Sequence, residues 1–133
     1  MKKAFFFLML LFGVNIPSLY YGWYLEFDWI DVILHSLGGF FVAMFVADYL
    51  KDRLIPKGWI KNTLIVVGAT TFIGVVWEFA EFIANQTLID FIYNKFKIRA
   101  YFMGDLNDTV LDLLMDILGA ITLMSFYFSK KKI

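Results

Sequence analysis

The sequence predicts an all-α integral membrane protein, a bundle of four transmembrane helices with a short interfacial segment between the third and the fourth. Three observations predict it. The 133 residues are 61% hydrophobic and 20% aromatic but only 18% charged, with a mean hydropathy of +0.71. A soluble domain of this size has no use for so much apolar surface. Four apolar runs reach the roughly 20 residues that a helix needs to cross about 30 Å of hydrocarbon. The twelve Lys and Arg fall at the ends of those runs or between them.

The first span runs from about 4 to 24, with Pro17 as a kink point. Its start, Met1-Lys2-Lys3 before Ala4–Val14, also has the form of a signal peptide. However, the apolar character continues to Tyr24, and no small-x-small cleavage site stands out. The second span covers about 30–50, the third about 60–84 and the fourth about 106–128. Backbone groups in lipid must be paired within their own segment, so these runs are helices and not isolated strands. No repeat or low-complexity tract divides the chain, and residues 1–133 read as a single domain.

The bases predict the orientation. With both termini in the cytoplasm, Lys2, Lys3, Lys51, Arg53, Lys57, Lys61 and Lys130 to Lys132 lie inside, nine against the three of Lys95, Lys97 and Arg99 outside. Trp23, Trp29 and Trp59 then fall at the interfaces. The expected location is the plasma membrane, multi-pass. The net charge of zero argues against nucleic acid as a partner, and the absence of Cys excludes disulfides and thiolate metal sites. The partner the composition implies is membrane lipid, and a homo-oligomer is compatible with it.

Half of the twelve acids lie within the spans, away from their inner ends: Asp31, Glu78, Glu81, Asp108, Asp112 and Asp116. The single histidine, His35, joins them. Each such charge costs roughly 2.5–3.5 kcal/mol near a helix centre on insertion scales, so the group requires an explanation. The topology brings them to one side of the membrane. Residues three and four apart share a helix face, which gives three stripes: Asp31, His35, Gly38 and Val42; Thr71, Gly74, Glu78, Glu81 and Asn85; and Asp105, Asp108, Asp112, Asp116 and Gly119. At 1.5 Å per residue, Asp116 reaches about 15 Å deep. The glycines allow the helices to approach closely.

Not every acid needs a function. Asp31 and Asp108 sit near helix N-termini, where capping and the macrodipole favour acids. Asp105 and Asn107 read as cap or loop residues. Glu78 and Glu81 lie near a helix C-terminus, where the dipole disfavours negative charge, and Asp112 and Asp116 are too deep to cap. Three compensations are open: protonation, basic side chains folding in from 95–99, or a divalent cation. Carboxylates with one imidazole suit Mg, Mn, Zn or Fe. The metal set is Asp31, His35, Glu78, Asp112 and Asp116, with Glu81 and Asp108 as the catalytic carboxylates, Glu81 acting as general base.

Three segments carry a family resemblance: Asp31-Val-Ile-Leu-His35, Trp77-Glu78-Phe-Ala-Glu81, and Asp108-Thr-Val-Leu-Asp112-Leu-Leu-Met-Asp116-Ile-Leu-Gly119-Ala120. Together they resemble the signatures of VanZ-like membrane proteins and, more closely, of the related YjdF-like group. The likeness covers Asp31 to Ala120 and implies a polytopic helical fold with a membrane-embedded polar site on these acids and His35. VanZ itself is linked to glycopeptide resistance, which points to the cell envelope. The sequence departs from the VanZ-like pattern in having Asp116 where Asn is usual and in the distance of Arg99 from the last Asp pair.

The segment from Asn85 to Asp105 places Leu88, Ile89, Phe91, Ile92 and Phe96 at helical spacing, and is predicted to be an interfacial amphipathic helix. As a lid, it would let Lys95, Lys97 and Arg99 contact an anionic head group. Three functions follow. The first is a metal-dependent enzyme acting on a lipid or lipid-linked envelope substrate such as a phosphate ester. The others are a cation- or proton-binding transport protein, and a non-enzymatic membrane partner whose polar cluster locks its helices.

Overall fold

The computed structural model describes residues 1–56 and 58–130, so Lys57, Lys131 and Lys132 of the charge balance above lie outside the described residues. Six helices follow in order: α1 (Lys2–Tyr21), α2 (Trp23–Glu26), α3 (Asp28–Tyr49), α4 (Trp59–Thr87), α5 (Ile89–Phe96) and α6 (Leu106–Lys130). Among the described residues there is no strand. Four helices, α1, α3, α4 and α6, are long and apolar enough to cross a membrane.

The helix boundaries have local causes. α1 stops at Tyr21, short of the expected Tyr24, because Gly22 takes a left-handed conformation (φ 68°) that closes the helix onto the carbonyls of Ser18 and Leu19. Pro17 stays inside α1. Polar side chains around it bond back to the helix, Asn15 Nδ2 donating to the Leu11 carbonyl (3.1 Å) and Ser18 Oγ to the Val14 carbonyl (2.9 Å). α4 continues to Thr87, three residues beyond the expected end, and meets α5 at Leu88. Of the predicted amphipathic segment 85–105, Ile89–Phe96 forms a helix of its own, α5, which ends where Lys97 adopts φ 58°; 85–87 belong to α4 and 97–105 are not helical. Asp105 caps α6, its Oδ1 accepting from the backbone N–H groups of Asn107 (2.8 Å) and Asp108 (3.1 Å).

The closest pairing is between α3 and α6, which run parallel. Gly39 and Gly119 make it possible. A Cβ on Gly39 would lie 2.1 Å from the Asp116 carbonyl oxygen, and one on Gly119 would lie 2.1 Å from that of Ser36. This is the small-residue crossing that lipid-embedded helices use in place of hydrophobic drive. From there towards the end that holds the N-terminus, Ala43, Val46, Ala47, Val66, Ala120, Leu123 and Met124 form the apolar core. α4 closes it with a buried stripe at strict four-residue spacing: Asn62, Val66, Thr70, Gly74 and Glu78. Thr70, and not the expected Thr71, lies on that line. Asn62 ties down the α3–α4 connection, accepting from the Ile55 N–H (2.9 Å) and donating to the Ile55 carbonyl (2.8 Å).

α1 is the least integrated span. Its backbone approaches α3 and α2 but keeps clear of α4 and α6. Phe7 stacks on Phe41 of α3 at 4.6 Å between centroids, and the N-terminal ammonium pairs with Asp48. Towards α4, the Phe12 and Trp77 rings meet edge to face across the gap at 6.2 Å. Large side chains such as Leu64 (70% exposed) and Phe72 (69%) stand outward on α4, as expected of a surface solvated by lipid.

Candidate functional site

Three helices deliver one carboxylate pair each, or a carboxylate and an imidazole, to a common point. α3 contributes Asp31 and His35 one turn apart, α4 contributes Glu78 and Glu81, and α6 contributes Asp112 and Asp116. His35 is buried at the centre. Its Nε2 lies 3.8 Å from Asp31 Oδ1, and its Nδ1 lies 3.6 Å from Asp116 Oδ1. Both distances exceed a hydrogen bond. One ligand atom each of Asp31, His35 and Asp112 lie within 4.8 Å of one another, and the same holds for His35, Glu78 and Glu81. Two ligands at about 2.0–2.6 Å from one ion can stand about 4–5 Å apart. Either triad therefore has the dimensions of a metal site.

The cluster is polar without being satisfied. Glu78 is 5% exposed and Asp112 2% exposed, yet Glu78 Oε1 and Asp112 Oδ1 have no hydrogen-bond partner. The Thr109 hydroxyl lies beside Glu78 but off hydrogen-bond geometry. A pair of ionised carboxylates about 4 Å apart repels by about 4 kcal/mol at an effective dielectric constant of about 20. Buried polar oxygens without partners are rare in folded proteins, and a proton, a water or an ion can supply the partner. Asp116 is held differently. Gly74 leaves room for it, since a Cβ there would lie 2.3 Å from Asp116 Oδ2. Asp116 belongs to neither triad and backs His35 from the Nδ1 side.

Two cavities of about 310 Å³ each border the cluster. The lower one runs between α1, α3 and α4 past Leu8, Leu11, Val42 and Ile73. The upper one extends past Leu19, Tyr24 and Tyr101. Both share Phe12, Asn15, Asp31, Trp77 and Glu81 in their walls. Among the described residues no Lys or Arg lines either. The sequence reading overlooked two polar contributors here. Asn15 accepts a hydrogen bond from the Tyr24 hydroxyl; a lone Asn in an apolar span was the available signal. Tyr24 lies between the first two spans, and burial, then the nearby Asp31, raise its phenol above the ordinary value.

Some expected residues are elsewhere. Asp108, expected among the catalytic carboxylates, sits at the rim, where its Oδ2 accepts from the Gly104 N–H at 2.9 Å and braces the approach to α6. Lys95, Lys97 and Arg99 do not cover the cluster. The Lys95 ammonium lies over the Phe91 and Phe96 rings, at 5.3 and 5.5 Å, and that of Lys97 over Tyr93. Lys97 and Arg99 line a separate cavity with Tyr20, Tyr21 and Glu26 at the end of α1. The left-handed Lys97 ends α5 before it can fold back.

Comparison with known proteins gives a family. The family model described as "Predicted membrane protein (DUF2238)" matches residues 3–132. An "Uncharacterized protein" of Thermotoga maritima is 36% identical over 110 residues, which is 79% of this chain and 50% of the relative. The chain thus spans about half the length of that curated relative. No solved structure matches it.

Proposed function

The chain belongs to this family of predicted membrane proteins, and we propose that it binds a divalent cation at the His35 cluster and uses it on a lipid or lipid-linked substrate of the cell envelope. The observation that carries the proposal is the pair of triads sharing His35, with the buried oxygens of Glu78 and Asp112 left unpartnered. Asp31, His35, Glu78 and Asp112 are the ligand atoms at hand. Asp116 orients the imidazole from its other nitrogen, as carboxylates do behind metal-bound histidines. A bound Mg, Mn, Zn or Fe ion would supply Lewis acidity and an activated water. Glu81, half-buried and on the wall of both cavities, would be the group to take a proton from that water.

The closed apolar core below the cluster supports a one-sided site over a transport path. Beyond Asp116 come Ala43, Val66, Ala120 and Met124, all buried. The hydroxyl of Thr70 is spent on the Val66 carbonyl at 2.9 Å. The VanZ-like and YjdF-like resemblance favours the envelope setting, and the distribution of bases favours a plasma-membrane protein with both termini cytoplasmic. A cysteine at Lys2 is then protected from an impermeant thiol reagent in intact cells, and one at Asn94 reacts; the opposite pattern inverts the topology.

Metal analysis of the detergent-purified protein tests the site. We expect a divalent ion to co-purify and EDTA to lower the melting temperature, with recovery when one ion is restored. Free ion at 100 times its dissociation constant stabilises the native state by about 2.7 kcal/mol. Glu78→Gln and Asp112→Asn keep the shape but remove charge, and should each weaken retention about tenfold or more. No bound ion, no response to EDTA and more stable Gln and Asn variants would leave the cluster as protonated helix glue.

A further inference from the structure

We propose that the cleft between α1 and α4 holds one uncharged, hydroxyl-bearing lipid, with its acyl chain in the lower cavity and its head in the upper one. The inference rests on the function proposed above and narrows its substrate class. Three features of the cleft carry it.

The first is access. α1 packs on α3 and stands clear of α4, so in a bilayer the gap between them faces lipid. The second is polarity along the cleft. The lower cavity is walled by Leu8, Met9, Leu11, Val42 and Ile73, which offer a hydrocarbon chain only apolar contacts. The shared waist brings Asn15, Asp31 and Glu81 together, and Tyr24 stands above it. A lipid lying head-up in this cleft places the junction between chain and head beside the carboxylates, one turn of α3 from His35. Phe12 and Trp77 line both cavities at that waist, where the junction between chain and head would lie.

The third is charge. The upper cavity offers neutral hydrogen-bonding groups in Asn15, Tyr24 and Trp77 together with the acids Asp31 and Glu81. Lys97 and Arg99 line a different cavity. Carboxyl groups accept hydrogen bonds from hydroxyls, and no Lys or Arg among the lining residues is there to complement a phosphate. The head that complements this cavity is therefore a glycerol or sugar hydroxyl group without charge.

Photo-crosslinking tests the assignment. The full chain is placed in phosphatidylcholine vesicles carrying a trace of a diazirine-tagged lipid, either diacylglycerol, a monoglycosyl diacylglycerol or phosphatidylglycerol, and labelled residues are mapped by mass spectrometry. We expect the two uncharged probes to label α1 around Leu8 to Phe12 and α4 around Ile73 to Trp77. With acids and no base in the lining, labelling by the anionic probe should be at least about tenfold weaker. The stronger of the two uncharged probes tells a glycerol from a sugar head. Ile73→Trp fills the lower cavity from a half-exposed position and should abolish the label, whereas Leu64→Trp, on the lipid face of the same helix, should leave it. Leu8→Trp repeats the block from α1 should Ile73→Trp fail to fold.

Cation retention, measured on the same preparations, keeps the two readings apart. If the cluster holds no ion and uncharged probes still label the cleft, the metal reading falls and this one stands. An ion held while label spreads evenly to lipid-facing residues such as Phe72 and Phe126 overturns this one alone. So does equal labelling of the cleft by phosphatidylglycerol, or unchanged labelling in a folded Ile73→Trp protein.

Discussion

The two halves of the bundle solve the problem of a small membrane protein in opposite ways. In the half that holds the N-terminus, α3, α4 and α6 close on Ala43, Val66, Ala120 and Met124, and the buried Asn62 is fully engaged with Ile55. In the other half the same helices carry five carboxylates and an imidazole, two of the carboxylate oxygens have no partner, and a cavity stands open beside them while a second reaches down past Val42. The boundary is the Gly39–Gly119 crossing, where backbone meets backbone. The contrast teaches that the packed half supplies the stability which the polar half spends.

If that division is right, damage at the boundary should be the most severe. Gly39→Ala and Gly119→Ala each drive a Cβ into backbone at 2.1 Å, where no side chain can swing away. Each should cost about 3 kcal/mol or more, the upper range for overpacking, seen as aggregation or a large fall in melting temperature in detergent. A well-folded Gly119→Ala protein would show that the crossing is looser than described.

Gly74→Ala sharpens the comparison, because its Cβ would meet the Asp116 carboxylate and not backbone. Here the side chain can shift, so stability should fall by about 1–2 kcal/mol, within the usual overpacking range. Cation retention should fall as well, about tenfold, as His35 loses the group behind it. Equal loss of stability and retention in Gly74→Ala and Gly119→Ala would mean that the two halves are one cooperative unit.

Within the packed half, Asn62→Ala removes both bonds to Ile55 and leaves its backbone groups unpaired. A cost of about 1–3 kcal/mol is expected, with cation retention unchanged, measured by thermal melts and metal analysis together. The smallest effect should come from the rim. Asp105→Ala removes the cap of α6 and should cost about 1 kcal/mol. Asp108→Asn keeps an oxygen for the Gly104 N–H and should cost less, again with the cation retained. Loss of the ion in Asp108→Asn would return Asp108 to the site.

Much of this molecule is local and therefore legible in one dimension. Four spans are decided by the length of an apolar run against the thickness of a bilayer, and that comparison needs no knowledge of neighbours. The depth of Glu78, Asp112 and Asp116 follows from the rise per residue, and their meeting around His35 from the alternation of the spans. The Asp105 cap is written in a few consecutive residues. What only the tertiary structure decides involves segments far apart in the chain. It chooses Gly39 over Gly38 for the crossing, since a helix face drifts between three- and four-residue spacing until a partner selects one. It stands α1 away from α4, and so makes a cleft where composition alone suggests a closed bundle. It gives Asn15 and Tyr24 a wall, Asn62 a loop to hold, and Lys97 and Arg99 a cavity of their own. Each of these depends on which side chains arrive at the same point from different helices, and that is a property of packing, which hydropathy and periodicity do not encode.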